Sequence, residues 1–209
     1  METPLVHDLI RIHSSSVCPA CLAKPDWVEQ SLERSPWVVV RRAEATGGRI
    51  AVGVRGRERN QRWGGFIQRE QAERVVAPAV LRSKDLPPSR FDLPAFRALR
   101  TLEQAFAGFD LYWGPGGSVA FELASGQETA GIASDLDLVV RSPTRLNRAK
   151  AAEILEVVSR VPGRVDVRIE TPVGGFTLEE YCRSSAGSLL VRTSAGSLLL
   201  QDPWERPGL

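Results

Sequence analysis

The sequence predicts an α+β protein with a small N-terminal α+β domain over residues 1–85. The second domain, over residues 86–209, is predicted to hold a mixed sheet flanked by helices. Short apolar runs bounded by glycine and proline turns indicate strands in both halves, and helical apolar patterns occur between them. The boundary is predicted at residues 83–90, where two adjacent prolines break a helix and stiffen the connecting segment.

The composition is ordinary for a soluble globular protein. The chain has 209 residues, of which 43% are hydrophobic and 25% charged. It contains no apolar run that approaches the length of a membrane span, and its first residues lack the apolar core of a secretory signal. Three cysteines do not make a disulfide framework in a chain of this length. We therefore expect a cytoplasmic protein with no membrane partner.

The positive charge is concentrated in the first half. Residues 1–90 carry 15 Lys and Arg against 10 Asp and Glu, whereas residues 91–209 carry 12 against 15. The densest cluster consists of Arg55, Arg57, Arg59 and Arg62. Such a patch suits an anionic ligand or an acidic partner protein, although a solvated arginine-rich face has the same composition. Nucleic acid is not expected as a partner, because the net charge is only +2 and no aromatic residues alternate with the arginines.

Local patterns predict the elements of the first domain. Residues 27–32 are expected to form a helix, and residues 37–41 and 50–54 a hairpin that leads into the arginine cluster. Residues 66–76 are predicted to be helical.

A Cys-x-x-Cys motif precedes these elements. Cys18 and Cys21, together with His7 and His13, could form a zinc site. The motif lacks a second Cys-x-x-Cys pair, so a plain loop with two ordinary thiols is the favoured interpretation.

The second domain alternates helices and strands. A helix is predicted around Phe96 and Leu99, a strand at residues 111–113, and a second helix that begins at Ser142 and ends at residues 162–163. Thr177 begins a capping box for a short helix. The segment Ser-Ala-Gly-Ser-Leu-Leu occurs at residues 185–190 and again at 194–199, which predicts the two halves of a β-hairpin.

Three acidic residues and a glycine-serine turn form the candidate active site. Asp135 and Asp137 alternate with leucines on a predicted strand, so their carboxylates share one face. Like charges so placed repel each other, and a hard divalent cation between them relieves the repulsion. Gly117 and Ser118 open a short helix, whose N-terminus supplies donors for phosphate. This order of features is typical of metal-assisted chemistry on a triphosphate.

Asp166 belongs to a second alternating strand, with valines and an isoleucine on its opposite side. The two strands are separated by a predicted helix, and a strand–helix–strand connection favours their lying side by side. Asp166 is then able to reach the same site as Asp135 and Asp137.

The chain resembles the nucleotidyltransferase superfamily at these residues. Within it, the chain is more closely similar to the holo-acyl-carrier-protein synthases of malonate decarboxylase, a family of phosphoribosyl-dephospho-CoA transferases. The segments that carry the resemblance are Trp-Gly-Pro-Gly-Gly-Ser-Val-Ala-Phe-Glu-Leu from residue 113, Ser-Asp-Leu-Asp-Leu from 134, Arg-Val-Asp-Val-Arg-Ile-Glu from 164, His-Asp-Leu from 7 and Val-Gly-Val-Arg-Gly-Arg-Glu-Arg from 52. The resemblance covers about residues 5 to 200, and it implies that the second domain is nucleotidyltransferase-like.

The resemblance also implies the reaction. The donor would be 2'-(5''-triphosphoribosyl)-3'-dephospho-CoA, the acceptor a serine of the acyl carrier subunit of malonate decarboxylase, and the leaving group pyrophosphate. Mg²⁺ would be the cofactor, held by Asp135, Asp137 and Asp166, while Gly117 and Ser118 bind phosphate. The arginine cluster would bind the donor or dock the carrier subunit. Further phosphate-binding candidates in the second domain are Arg141, Arg145, Arg148 and Lys150.

Three other functions share parts of this pattern. Another nucleotidyltransferase, adding a nucleotide to a protein or a small molecule, would use the same carboxylates. A non-catalytic module that binds nucleotide or a carrier protein would not need all of them. A zinc-dependent scaffold would depend on residues 7–21 alone.

Overall fold

A computed structural model of the chain describes residues 3–13, 17–19, 24–58, 60–184 and 187–205. These ranges contain two six-stranded sheets and five α-helices, which confirms the α+β class. The first sheet is antiparallel throughout, and the second is mixed. Among the helices in these ranges, none has both the length and the apolar character needed to cross a membrane.

The first sheet is built from the N-terminal part of the chain. Its strands are β1 (Leu9–Ile12), β2 (Cys18–Pro19), β3 (Trp37–Val40), β4 (Arg49–Arg55), β5 (Arg62–Gln68) and β6 (Ala72–Val76), arranged in the order β2-β5-β4-β3-β1-β6. Helix α1 (Asp26–Arg34) packs Val28 and Leu32 against the sheet. The predicted helix and the predicted hairpin of β3 and β4 are confirmed.

The prediction of a helix over residues 66–76 is wrong. This stretch holds the end of β5, a single 3₁₀ turn (Arg69–Gln71) and β6. Alternate residues Trp63, Gly65 and Ile67 are buried, which is the two-residue period of a strand. Strand β5 pairs with β4 over seven residues, from Arg55 opposite Arg62 to Arg49 opposite Gln68. This ladder, together with the pairing of β6 with β1, overrides the apolar spacing that indicated a helix.

The second sheet follows three short 3₁₀ turns after β6 and forms the larger core. Its strands are β7 (Tyr112–Pro115), β8 (Leu136–Arg141), β9 (Val165–Glu170), β10 (Gly175–Thr177), β11 (Leu189–Thr193) and β12 (Gly196–Leu200), in the order β12-β11-β10-β9-β8-β7. Its helices are α2 (Pro94–Ala105), α3 (Gly117–Ser125), α4 (Arg148–Ser159) and α5 (Leu178–Arg183). Leu136, Leu138 and Ile169 are fully buried in the same cluster as Phe96 and Ile154.

Most of the predicted connections of this domain are confirmed. Strands β8 and β9 are parallel neighbours joined through α4, and β11 and β12 form the hairpin expected from the repeated segment. The predicted start of α4 at Ser142 is wrong. The Ser142 N–H donates to Glu170 O at 2.8 Å and so continues the strand pairing, whereas Asn147 caps the helix by accepting from Lys150 N at 2.7 Å.

Ion pairs join the two sheets at the C-terminal ends of β8 and β9. The Arg141 guanidinium donates to Asp8 Oδ1 at 2.6 Å, and His7 Nε2 lies 2.9 Å from Glu170 Oε1. Arg42 binds the other oxygen of the same glutamate. These bonds hold the chain segment before β1 and the end of β3 against the second sheet. The sheets are therefore fixed relative to each other beside the polar face of β8 and β9.

A buried ion pair holds the loop between α3 and β8. The carboxyl group of Glu122, which is 4% exposed, accepts from Arg90 Nε at 2.7 Å and from the backbone N–H groups of Thr129 and Ala130 at 2.9 Å. These contacts raise the pKa of Arg90, chiefly through its hydrogen bonds to Glu122. Because the carboxylate is buried, it depends on this one guanidinium for its counter-charge.

Replacing Arg90 with Met is expected to lower the free energy of unfolding by about 3–5 kcal/mol, because it leaves the buried Glu122 carboxylate without its counter-charge. Urea unfolding measures the change. The matched control is Arg160→Met, which breaks an exposed pair with Glu156 and should cost about 0.5 kcal/mol or less. Equal losses in the two variants would show that the Arg90 pair contributes no more than a surface contact.

Candidate active site

The two carboxylates at the centre of the site lie directly opposite each other. In the parallel pairing of β8 and β9, Asp137 is the register partner of Asp166. Register partners point to the same face of a sheet, and Asp135, two residues before Asp137, belongs to that face as well. Leu136, Leu138 and the valines of β9 occupy the opposite, core-facing side. All three predicted aspartates are therefore on one face of the sheet.

The Asp137 carboxyl group is placed where its charge is costly. Burial raises its pKa most, and the neighbouring charges of Asp166 and Asp135 raise it further. Arg168 and Arg62 act in the opposite direction, but the net shift is upward. A positive ligand at this position would be favoured, because it would offset both the burial and the repulsion between the carboxylates.

Arg164 supplies part of the counter-charge in this structure. Its guanidinium lies 3.7 Å from Asp135 Oδ2 and 3.4 Å from Asp166 Oδ2, and the two carboxyl side chains are 29% and 50% exposed. Within the described ranges, no three His, Cys, Asp or Glu side chains converge closely enough to hold a metal ion. The predicted Mg²⁺ site therefore stays a prediction that needs Arg164 to move and the carboxylates to close around the ion.

The start of α3 packs against the same carboxylate. The Gly116 N–H donates to Asp137 O at 2.8 Å, and the helix begins at Gly117. Gly117 has φ +56, and a Cβ atom added to it would lie 3.0 Å from Asp137 Cγ and still closer to a carboxylate oxygen. Only glycine allows this backbone turn at this distance. The N-terminus of α3 is thereby brought beside the carboxylates, where its free N–H groups favour anions.

The two predicted phosphate-binding residues, Gly117 and Ser118, differ in position. Gly117 lines the main cleft of the protein, whereas Ser118 is buried one residue further into the helix. The Ser118 carbonyl accepts from the Thr129 hydroxyl at 2.8 Å.

A cleft of about 570 Å³ lies between the two sheets and reaches the site at Asp137 and Gly117. Asp166 lines a separate cavity of about 500 Å³, together with Arg164. To the cleft, the first sheet contributes Leu9, Val39, Gly53, Val54, Arg55, Arg62, Trp63 and Gly64, and the second contributes Asp137, Leu138, Val139 and Arg168. The other lining residues are His7, Arg41, Gly116, Gly117, Ala120 and Phe121. Four arginines thus line a cleft that also contains the Asp137 carboxylate and the helix N-terminus. Such a cleft suits a polyanion bound next to a cation.

The predicted arginine patch is divided in the structure. Arg55 and Arg62 are register partners on β4 and β5, and both line the cleft. Arg57 is exposed beside a separate cavity of about 450 Å³, which Arg34 and Ser31 also line. Arg59 lies outside the described residues.

Arg41 and Arg168 line the cleft but were not among the predicted site residues. Neither makes an ion pair or a side-chain hydrogen bond with a residue that the structure describes. The sequence carried a signal for Arg168, because it lies two residues after Asp166 on a strand and therefore shares its face. It carried none for Arg41, whose position depends on how the first sheet packs against the second.

The other phosphate-binding candidates are occupied by protein partners. Arg141 pairs with Asp8, Arg145 with Asp202 and Lys150 with Glu153. Arg148 donates to a backbone oxygen of α5. None of the four is among the residues that line the cleft.

The zinc hypothesis gains no support from the described residues. Cys21 lies outside them, and Cys18 is described only as part of β2. His7 bonds to Glu170, and His13 Nδ1 lies 3.9 Å from a Glu73 oxygen. Burial raises the pKa of Cys182, so this thiol is not activated as a nucleophile.

Comparison with known proteins bears directly on this site. Two family models match: the phosphoribosyl-dephospho-CoA transferase MdcG N-terminal domain over residues 5–78 and the corresponding C-terminal domain over residues 82–203. The chain belongs to the phosphoribosyl-dephospho-CoA transferase MdcG family. The match to the C-terminal model spans the three aspartates and Gly117, and the match to the N-terminal model spans Arg41 and Arg62.

Relatives in this family match the chain over nearly its whole length. A phosphoribosyl-dephospho-CoA transferase of Pseudomonas aeruginosa is 39% identical over 203 residues, which are 96% of this chain and 94% of the relative. One of Klebsiella pneumoniae is 37% identical over 207 residues, covering 98% of both chains. No solved structure matches the chain. The N- and C-terminal models meet between residues 78 and 82, close to the predicted linker.

The Asp137→Asn variant is expected to be more stable than the wild type at pH 7. A raised pKa means that the folded state binds the proton more tightly, so the free energy of unfolding falls as pH rises above the unfolded-state value of about 3.9. Asparagine removes this pH-dependent loss of stability. The difference in free energy of unfolding between the variant and the wild type should therefore shrink as the pH falls below about 4. Urea unfolding at several pH values measures the difference, with the exposed Asp110→Asn as the control. An Asp137→Asn variant that is no more stable at pH 7 would contradict the electrostatic argument.

Proposed function

We propose that the chain transfers the phosphoribosyl-dephospho-CoA group from 2'-(5''-triphosphoribosyl)-3'-dephospho-CoA to a serine of the malonate decarboxylase acyl carrier subunit. Pyrophosphate is the leaving group. The observation that carries the proposal is the in-register pair of Asp137 and Asp166, of which Asp137 lies beside the N-terminus of α3 in an arginine-lined cleft. Support also comes from the relatives, whose names specify a phosphoribosyl-dephospho-CoA transferase. A cytoplasmic location is part of the same proposal.

Mg²⁺ is the proposed cofactor, and the carboxylate chemistry of the site supports it. Carboxylate oxygens are the ligands that Mg²⁺ prefers, and the upward shift of the Asp137 pKa marks a place where a cation would stabilise the protein. Asp137 and Asp166 would hold the ion, with Asp135 as a third ligand once Arg164 moves aside. When bound, the ion would neutralise charge on the phosphates of the donor.

The chain's own groups would position and activate the substrates. The free N–H groups at the start of α3 would bind the outer phosphates, and Arg62 would add positive charge from the first sheet. The serine oxygen of the carrier attacks the phosphorus that is bonded to the ribose oxygen. The bond from that phosphorus to the pyrophosphate oxygen breaks, and Asp166, which is half exposed, takes the serine proton.

The divided arginine patch suggests a division of roles. Arg55 and Arg62 line the cleft and suit the donor phosphates. Arg57 is exposed outside the cleft and suits the surface of the carrier subunit, as Arg59 does by its neighbouring position in the sequence.

Incubation of the protein with the apo-carrier subunit, Mg²⁺ and the triphosphate donor should raise the intact mass of the carrier by the mass of the donor less pyrophosphate. Asp137→Asn and Asp166→Asn should each reduce the rate at least about 100-fold, because the charge that stabilises the reaction is lost. Asp110→Asn is the matched control and should keep full activity. A mass increase equal to a bare nucleotide monophosphate would instead favour another nucleotidyltransferase. Either active-site variant retaining more than a few per cent of the activity would remove that carboxylate from the mechanism.

Addition and removal of Mg²⁺ test the proposed cofactor. Mg²⁺ at about 100 times its dissociation constant should stabilise the wild type by about 2.7 kcal/mol, which thermal unfolding detects as a higher Tm. The Asp137→Asn variant should show little of this increase, and EDTA should abolish transfer by the wild type. An equal Tm increase in both proteins would mean that the ion binds elsewhere.

A further inference from the structure

Two glycines face each other in the middle of the first sheet. Gly53 on β4 and Gly64 on β5 are register partners, and both line the main cleft. Glycine inside a strand weakens it, and such a position often marks a place where another group approaches the backbone closely. In this structure the approaching group is the side chain of Arg41.

The side chain of Arg41 lies across the two glycines. A Cβ atom added to Gly53 would be 3.2 Å from Arg41 Cδ, and one added to Gly64 would be 2.6 Å from Arg41 Cζ and closer still to a guanidinium nitrogen. Cβ atoms essentially never lie within 3.0 Å of a heavy atom that belongs neither to their own residue nor to its chain neighbours. The guanidinium therefore occupies the space that a side chain at position 64 would fill.

The backbone of Arg41 is anchored while its charge is left without an acidic partner. Its N–H donates to Ala51 O at 2.8 Å, which fixes the residue at the end of β3. Across the described ranges, its guanidinium has no ion pair or hydrogen bond, whereas the guanidinium of the adjacent Arg42 binds Glu170. The two neighbours thus have different roles: Arg42 joins the sheets, and Arg41 presents a free guanidinium to the cleft.

We propose that Arg41 binds the polyphosphate of the donor. Gly53 and Gly64 form what we call the seat, a backbone surface without side chains that accommodates and orients the Arg41 guanidinium. The identity of the donor rests on the proposed function, whereas the seat rests on the geometry. A planar guanidinium forms two parallel hydrogen bonds to phosphate oxygens, so its orientation matters as well as its charge. Arg62 and Arg168 line the same cleft and act on the Asp137 charge, so they surround the same ligand.

The position of Arg41 between two cavities agrees with this role. Arg41, Arg168 and His7 also line an adjoining groove of about 470 Å³, which extends towards Arg192 and Thr193 on β11. The proposed donor is much longer than its triphosphate, so a molecule that extends from the cleft into this groove passes Arg41.

A double-mutant cycle tests the seat. Inorganic tripolyphosphate is the probe, and its dissociation constant is measured by calorimetry on the full chain with Mg²⁺ present. Arg41→Ala is expected to weaken binding by about 10-fold or more, as for the loss of a hydrogen bond to a charged group. Gly64→Ala should weaken it similarly, because the added methyl group displaces the guanidinium. In the Arg41→Ala background, Gly64→Ala should have no further effect. Arg74→Ala, an exposed arginine on β6, is the matched control.

Two results would overturn the proposal: unchanged tripolyphosphate binding by Arg41→Ala, or an equal loss from Gly64→Ala with and without Arg41. The clashing atoms are the far end of a flexible side chain, so Gly64→Ala should fold. Gly53→Ala is the second variant of the seat and should show the same dependence on Arg41. If tripolyphosphate binding depends on Arg41 but the carrier gains no mass, only the proposed function fails. If the carrier is modified and Arg41→Ala leaves the KM for the donor unchanged, only this proposal fails.

Discussion

The parallel, in-register pairing of β8 and β9 is the constraint on which the rest of the site depends. It places the carboxyl groups of Asp137 and Asp166 side by side on the face of the sheet that points away from the core. Repulsion and burial both raise the pKa of Asp137, so the fold carries an unfavourable charge that a bound cation can relieve. Burial of the leucines and valines on the opposite face offsets this cost. It also fixes the register of the strands, because a one-residue slip would bury the carboxylates and expose the core.

The first sheet completes the site from the other side. Its contact with the second sheet is fixed by the pairs of Asp8 with Arg141 and of Glu170 with His7 and Arg42. All the acidic groups of these pairs are satisfied within the protein. The cleft beyond them holds Arg41 and Arg168, whose guanidinium groups make no ion pair or hydrogen bond with a described residue. The charged residues discussed here thus fall into two groups. One group forms ion pairs that join the sheets, and the other consists of arginines that are available to an anionic ligand.

The sequence was informative wherever a local pattern decides the structure. Alternation predicted the strands of Asp137 and Asp166, and the repeated segment predicted the hairpin of β11 and β12. It failed where long-range pairing overrides local spacing. Residues 66–76 form parts of two strands instead of a helix, because β5 pairs with β4 and β6 pairs with β1. The sequence also could not identify Arg41, because nothing in the residues around it indicates that a glycine pair on two other strands accommodates its side chain.

The most direct test of this account is the titration of the Asp137 carboxyl group, followed by ¹³C NMR in the wild type and in Asp166→Asn. The account predicts that Asp137 titrates above the ordinary value for aspartate, about 3.9, and that removal of the Asp166 charge lowers its pKa. An Asp137 that titrates as an exposed aspartate does, or that does not respond to Asp166→Asn, would contradict the claim that the two carboxylates form one electrostatic unit.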